Sequence, residues 1–350
     1  MFNLNNILRE NIKSLQAYRV WRDDYLNNKK AIFLDNCENN FGSPLGAGYE
    51  RYPSSSQSEV KETIAAYRNI NANQIAIGNG SDELIDLLIR CFCEPKKDNI
   101  IICEPTFGMF KVFAHINNVD VLSAPLKKKS FLYDERLILS TATRNTKLIF
   151  ICSPNNPTGT SISIKQLKLI ADSFNGIVVV DEAYIDFSEK ISALSLINEY
   201  KNILVLQTFS KAWGLAALRV GIAYGNPAVI EILNKVRPPF NINSNSQKLI
   251  VQALKKSKIK NTLVKKILRQ KVYLKNELQK LSFVKNIIES DANYFLIEVI
   301  NADKICSYLL AKNILISNRS GLLNCKNKIR ISVGTEKENK QLITTLKQYN

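Results

Sequence analysis

Apolar residues recur along this chain in two rhythms. Unbroken runs such as "NIIIC" (99–103), "KLIFIC" (147–152), "GIVVV" (176–180) and "NILVLQ" (202–207) read as strands buried on both faces. "QIAI" (74–77) and "RVGIAYG" (219–225) read as two more strands. Between the runs the apolar spacing becomes helical, as in "DELIDLLIRCF" (82–92) and "IKQLKLIADSF" (164–174). Alternation of this kind predicts an α/β fold with a mostly parallel sheet between helices. After about residue 245 the texture changes. A long Lys-rich helical stretch runs to about 281. It is followed by "FVKNII" (283–288), "NYFLIEV" (293–299), a helix near 302–312, "NILIS" (313–317), "KIRISVG" (328–334) and a last helix near 336–348. That pattern predicts a smaller α+β unit. Residues 1 to about 30 read as a polar, partly helical arm. The expected organisation is an N-terminal arm that forms part of the small unit (1–45), a large unit (46–245) and a small C-terminal unit (246–350).

Composition changes this picture little. With 350 residues, 45 % hydrophobic and 23 % charged, the chain is an ordinary globular protein of about two units. The formal net charge of +17 invites a nucleic-acid reading. No binding motif accompanies it, and Lys127–Lys129 and the stretch from Lys255 to Lys271 read as solvated loops and helix faces. An anionic substrate gains some steering from such a field. Seven cysteines without metal-type spacing suit reduced, mostly buried thiols in a cytosol. The single histidine, His115, leaves no basis for a His-based metal site or a Ser-His-Asp triad. The N-terminus lacks the apolar core of a signal peptide, and no apolar run approaches membrane-spanning length. The expected location is cytoplasmic, with no metal, no membrane and no nucleic acid.

Four segments carry candidate chemistry, mostly at strand ends, where open parallel sheets bind ligands. "GNGSDE" (78–83) joins a strand to a helix. Ser81 is placed to cap that helix, Asp82 and Glu83 suit its positive end, and its N–H groups suit a phosphate. An ordinary strand-to-helix turn explains the same residues equally well. "SPNNPTGT" (153–160) is either a plain turn or a rigid mount for Asn156. Asp181 closes a buried strand in "VVVDEAYIDF" (178–187), where a carboxylate is costly unless a cation meets it, and Tyr184 is close in sequence. In "TFSKAWGLAALRVG" (208–221), Lys211 follows Thr208 and Ser210 in an apolar surround that lowers a lysine's pKa, and Arg219 lies eight residues on. Together the four suit pyridoxal 5′-phosphate. Its aldehyde needs a lysine, its pyridine nitrogen a carboxylate, and its phosphate a helix start with hydroxyls and an arginine.

With these motifs in this order the chain resembles the class-II, fold-type-I pyridoxal-phosphate-dependent aminotransferases, and within them the branch acting on histidinol phosphate. The likeness also covers "RENIKSLQAY" (9–18), "ERYPSSSQ" (50–57), "GNGSDELIDLLIRCFCEP" (78–95), "PTFGMF" (105–110), "NYFLIEV" (293–299) and "IRISVGTEKEN" (329–339). The resemblance implies that Lys211 binds the cofactor aldehyde and shuttles a proton, and that Asp181 pairs with the pyridine nitrogen. Asn156 and Tyr184 would bond the ring oxygen, and Phe107 would stack on the ring. Ser81, Asp82, Thr208, Ser210 and Arg219 would hold the phosphate. Tyr52 would reach the site of a second subunit, implying a homodimer with shared sites. Arg330 would clamp the carboxylate of glutamate, with Tyr18, Glu38 and Arg319 lining the substrate pocket. The implied reaction is reversible amino transfer between glutamate and the ketone that yields histidinol phosphate, in histidine biosynthesis.

Three segments depart from the family pattern. Cys37 and Asn40 stand in "LDNCENNFG" (34–42) where the family has Asn and Pro, and Ala217 stands where glycine is common. In "ISNRS" (316–320), Ser317 occupies the place of an arginine that helps bind the substrate phosphate. Arg319 lies on the same side as position 317 if the segment is extended, which allows it to compensate. The Ser317 change keeps two related chemistries in view, an aromatic aminotransferase and a phospho-amino-acid decarboxylase. A non-catalytic basic binding protein is the reading from a different class.

Overall fold

The computed structural model describes residues 2–25, 30–46 and 48–349. The predicted arm therefore includes positions 26–29, which lie outside the described residues. Seven strands form the main sheet: β1 (Ile75–Asn79), β2 (Asn99–Ile102), β3 (Asp120–Ser123), β4 (Thr146–Cys152), β5 (Ile177–Asp181), β6 (Ile203–Thr208) and β7 (Val220–Tyr224). Their order is β1-β7-β6-β5-β4-β2-β3. Pairing is parallel from β3 through β2, β4 and β5 to β6, while β7 is antiparallel to both of its neighbours. Only residues 209–219 separate β6 from β7, too few for a helical crossover.

The unbroken apolar runs are explained by burial on both faces. Ile149, Ile151, Val178 and Val180 enter one core, while Leu148, Phe150, Ile177 and Val179 enter the other. Helices Gly80–Phe92 and Ile164–Ser173 cover the sheet where their apolar spacing predicts. The edge strand β3 is only partly buried, and its polar "DVLS" carries no strand signal. Ile7, Leu8 and Ile12 of the arm pack into the large sheet's core.

A second sheet, ordered β10-β11-β9-β8 and wholly antiparallel, is built from β8 (Val284–Ile287), β9 (Tyr294–Val299), β10 (Ser317–Asn318) and β11 (Lys328–Ser332). Of "NILIS" only Ser317 is in a strand, the two-residue β10 that pairs with β11. The long helical stretch is two helices, Ser244–Lys255 and Ser257–Leu278, broken at Lys256. Lys127–Lys129 and most lysines of 255–271 are exposed, as expected. Lys271 is half-buried, and Lys260 is buried, pairs with Asp186 at 2.9 Å and lies 5.1 Å from the Trp213 ring centre. The two sheets meet through a small core containing Tyr184, Phe187 and Ala212 from one side and Val264, Ala292 and Tyr294 from the other. Among the described residues, no helix is long and apolar enough to cross a membrane.

Candidate active site

The carboxyl ends of β4, β5 and β6 and the start of helix Gly80–Phe92 enclose one pocket. Asn156, Asp181, Tyr184 and Lys211 line it, together with Phe107 and the residues of its anion-binding end. Asp181 is the last residue of β5 and is buried. Burial pushes its carboxyl up to about 6; the Ala183 N–H, donating at 3.0 Å, opposes this, Asp82 adds to it, and Lys211 also opposes it. Burial also lowers the Lys211 ammonium below the ordinary lysine value, helped by Arg330 and resisted by Asp181. Lys211 Nζ stands 5.6 Å from the centre of the Tyr184 ring. The Tyr184 hydroxyl is pushed up by burial, so it remains a proton donor at neutral pH.

The anion-binding end depends on two glycines. Gly80 has φ +78°, and its N–H donates to the Arg219 carbonyl at 2.7 Å. Arg219 is itself left-handed at φ 54°, which turns that carbonyl towards Gly80. A Cβ on Gly221 would stand 2.3 Å from the Ser81 backbone nitrogen, so β7 and the helix start approach backbone to backbone. The expected cap at Ser81 is corrected by this geometry. Asn79 is the N-cap, the helix begins at Gly80, and Ser81 lies in its first turn facing the pocket. The Gly80 N–H is already occupied by Arg219, so the free donors are those of the following residues. Arg219 reaches Asp82 at 3.3 Å and Ser210 at 3.4 Å, long contacts that leave its guanidinium able to take an anion. Thr208 Oγ1 lies 3.1 Å from Ser210 Oγ.

Behind Asn156, beside the pocket, stand two further cations, Arg330 and Arg319. Arg330 Nη1 donates to Asn156 Oδ1 at 2.6 Å. A guanidinium only donates, so the Asn156 oxygen must face it, and its NH2 group is left pointing elsewhere as a donor. Ser317 is directly opposite Arg330 in the β10–β11 register. The Arg319 N–H donates to the Lys328 carbonyl at 2.9 Å, continuing that ladder. Ser317, Arg319 and Arg330 therefore share a face, as extended backbone predicts. Burial lowers the Arg319 pKa, and Arg330 lowers it further. Among the described residues, the Nε atoms of both arginines and Ser320 Oγ are buried donors without an acceptor.

Five expected site residues are not among those lining this pocket: Arg319 and Arg330, which adjoin it through the Arg330–Asn156 bond, and Tyr18, Tyr52 and Glu38. Tyr18 is exposed, and Tyr52 is exposed and stacks on Phe240 with ring centres 4.7 Å apart. Glu38 accepts two bonds from Arg22, one from Arg51 at 2.7 Å and one from the Tyr52 N–H at 2.7 Å. The Arg22 guanidinium, then burial in the opposite sense, then Arg51 set its carboxyl at about 2. Sequence reasoning missed two residues that support the pocket. Asn155, fully buried, bonds Thr106, the Pro105 carbonyl and Thr158. Tyr294 donates to the Asn155 carbonyl at 2.7 Å. The second Asn of "SPNNPTG" drew attention away from the first, and Tyr294 became visible only through strand register.

Residues 23–346 match the family model described as aminotransferase class I and II. The histidinol-phosphate aminotransferase of Cytophaga hutchinsonii is 46 % identical over 348 residues, 99 % of this chain and 99 % of the relative. That of Flavobacterium psychrophilum is 44 % identical over 347 residues, again 99 % of each. Among solved structures, the histidinol-phosphate aminotransferase of Clostridium acetobutylicum superposes with a TM-score of 0.79 at 23 % identity, covering 86 % of this chain and 90 % of that one. The enzyme of Sinorhizobium meliloti, solved with pyridoxal-5′-phosphate, gives 0.79 at 20 % identity over 89 % of this chain and 90 % of that one. The distant structures establish the shared fold, and the matched family model, with the curated relatives along the whole length, shows that this chain belongs to the aminotransferase class I and II family.

Proposed function

We propose that this chain uses pyridoxal phosphate to move an amino group reversibly between glutamate and imidazole-acetol phosphate, the ketone that yields histidinol phosphate, in histidine biosynthesis. One observation carries the reading: Lys211 and Asp181, an amine and a carboxylate with opposed protonation preferences, face one pocket that has an anion cradle at one end, and Arg330 adjoins that pocket by its bond to Asn156. The residues fit the cofactor, because the glycine crossing leaves Ser81 and Asp82 N–H groups open and Arg219 only loosely bonded. Bound there, pyridoxal phosphate supplies an aldehyde that takes up the amino group and a ring that draws electron density from the substrate Cα.

The chain's own groups do the rest in this reading. Ser81, Asp82, Thr208, Ser210 and Arg219 hold the phosphate, and Phe107 covers the ring. Asp181 meets the protonated ring nitrogen, the cation its buried carboxylate requires. Asn156, through the NH2 group turned away from Arg330, and Tyr184, through its hydroxyl, donate to the ring oxygen. Lys211 binds the cofactor and, once released, takes the proton from the substrate Cα at Nζ, which its lowered pKa favours. Arg330 clamps the glutamate carboxylate, and Arg319 supplies the second charge for the phosphate-bearing substrate. Residues 46–245 hold the cofactor in this account, while the arm and 246–350 close the substrate side. Glu38 acts by anchoring Tyr52, which with Tyr18 belongs to a site completed by a second subunit.

Purified protein loaded with pyridoxal phosphate is expected to absorb in the visible, and borohydride should remove the band. With histidinol phosphate and 2-oxoglutarate it should form glutamate far faster than with phenylalanine as donor. Release of carbon dioxide from a phospho-amino acid without glutamate formation would replace this reading with a decarboxylase, which Ser317 in the arginine's place keeps in view. Preference for phenylalanine would make it an aromatic aminotransferase.

A further inference from the structure

Tyr294 touches the site from behind at three points. Its hydroxyl donates to the Asn155 carbonyl at 2.7 Å, and that carbonyl belongs to the peptide leading into Asn156. Its ring lies beneath the Arg330 guanidinium, 5.2 Å from its centre to Cζ. The same ring stands edge-on to Tyr184, with centres 5.0 Å apart and planes at 88°. Tyr294 is buried, opens β9 and pairs across the sheet with Ser332, two residues beyond Arg330, so the arginine lies diagonally over it. Arg330, in turn, bonds Asn156. Asn156, Arg330 and Tyr294 thus form a closed loop joining the two sheets. The Arg330 Nε has no acceptor, so the Asn156 oxygen and the Tyr294 ring are what orient its fork.

We propose that Tyr294 is a positioning residue: by tying the Asn155–Asn156 peptide to the strand beside Arg330, it holds the Arg330 guanidinium in the orientation that receives the carboxylate of the amino donor. This rests on the proposed amino transfer for its consequence in turnover, but the arginine's readiness for a carboxylate is measurable without turnover. The hydroxyl is the informative group, because the ring alone preserves the contacts with Arg330 and Tyr184. Tyr308 offers a matched control, since its hydroxyl donates to the Thr345 carbonyl at 3.2 Å, on a helix away from the pocket.

The experiment compares the full-length wild type, Tyr294→Phe and Tyr308→Phe, each loaded with pyridoxal phosphate. Calorimetry measures the affinity for glutarate, which carries glutamate's two carboxylates without its amine. Steady-state rates give KM for glutamate and kcat, and thermal melts follow the fold. Tyr294→Phe should raise both the glutarate Kd and the glutamate KM about five-fold, the effect of one lost orienting hydrogen bond, with kcat changed less than about two-fold. Tyr308→Phe should leave both constants unchanged. Equal glutarate affinity in wild type and Tyr294→Phe would overturn the assignment. So would a fall in kcat with KM unmoved, or a Tyr294→Phe protein that does not fold, since the hydroxyl would then be a plain structural bond. If the wild type itself bound neither pyridoxal phosphate nor glutarate, it is the proposed function that would fail.

Discussion

Asp181 shows how one residue couples stability to function. Its folded carboxyl, at about 6, lies above the ordinary 3.8, so the folded chain holds this proton more tightly than the unfolded chain does. Stability from this group is therefore complete below pH 3.8 and is lost as pH rises to about 6. The loss approaches about 3 kcal/mol at most. In cofactor-free protein, Asp181→Asn should gain on the wild type across that window, measured as the difference in urea-unfolding free energy at pH 4.5 and pH 7. With pyridoxal phosphate bound the order should reverse, because the ring nitrogen then pairs with the carboxylate and not with the amide. A difference that stays constant with pH would show that burial does not control this group. Asp181 was readable in the sequence for the same reason that it is costly: a carboxylate ending a run of valines calls for a cation. Tyr294 was not readable, because a tyrosine opening a strand looks like any core aromatic until register puts it beneath Arg330.

At the scale of elements, the cofactor end is a crossing between β7 and the start of helix Gly80–Phe92. Gly221 allows that crossing, because any Cβ there meets the Ser81 nitrogen and the Gly80 carbonyl carbon, at 2.3 and 2.4 Å. Both are backbone atoms that cannot rotate away. Gly221→Ala should therefore lower stability by about 1–3 kcal/mol and weaken pyridoxal-phosphate binding, because the displaced turn carries the phosphate donors. Gly108→Ala, at a site with nothing within 4 Å, is the control. Melting curves and cofactor titration test this, and a Gly221→Ala protein with normal cofactor affinity would refute it. The buried strands β2, β4, β5 and β6 were legible because burial on both faces confines their polar residues to the strand ends and leaves unbroken apolar runs between. The direction of β7 was not legible, since its apolar run is the same whichever way it points. Edge strand β3 and the break at Lys256 also escaped. One lacks a buried face, and the other interrupts the backbone without a Gly or Pro to mark it.

At the scale of the whole molecule, the arm poses the remaining problem. Trp21, Ile32, Leu34, Phe41 and Leu45 are all well exposed, with Phe41 wholly bare and Ile32 at 84 %. Apolar side chains this concentrated, from one 25-residue stretch, are the mark of a surface that meets another protein. Beside them the buried Glu38 pairs with the buried Arg22 and the half-exposed Arg51 and accepts from the Tyr52 N–H, which fixes that tyrosine's backbone. Tyr52 does not line its own chain's pocket, and the proposed homodimer with shared sites would bring it to that of a second copy. A stable pairing buries roughly 800 Å² per partner, which a patch of this kind is suited to supply. Sedimentation should therefore show twice the chain's mass. Phe41→Asp combined with Leu45→Asp should shift the protein towards the monomer, because two carboxylates cannot be buried unpaired. The monomer should bind pyridoxal phosphate more weakly and transfer amino groups more slowly, although Lys211, Asp181 and Arg219 remain intact. A wild type that sediments as a monomer with full activity would remove Tyr52 from the site. A dissociated variant that kept normal cofactor affinity would leave the dimer standing but separate it from the chemistry.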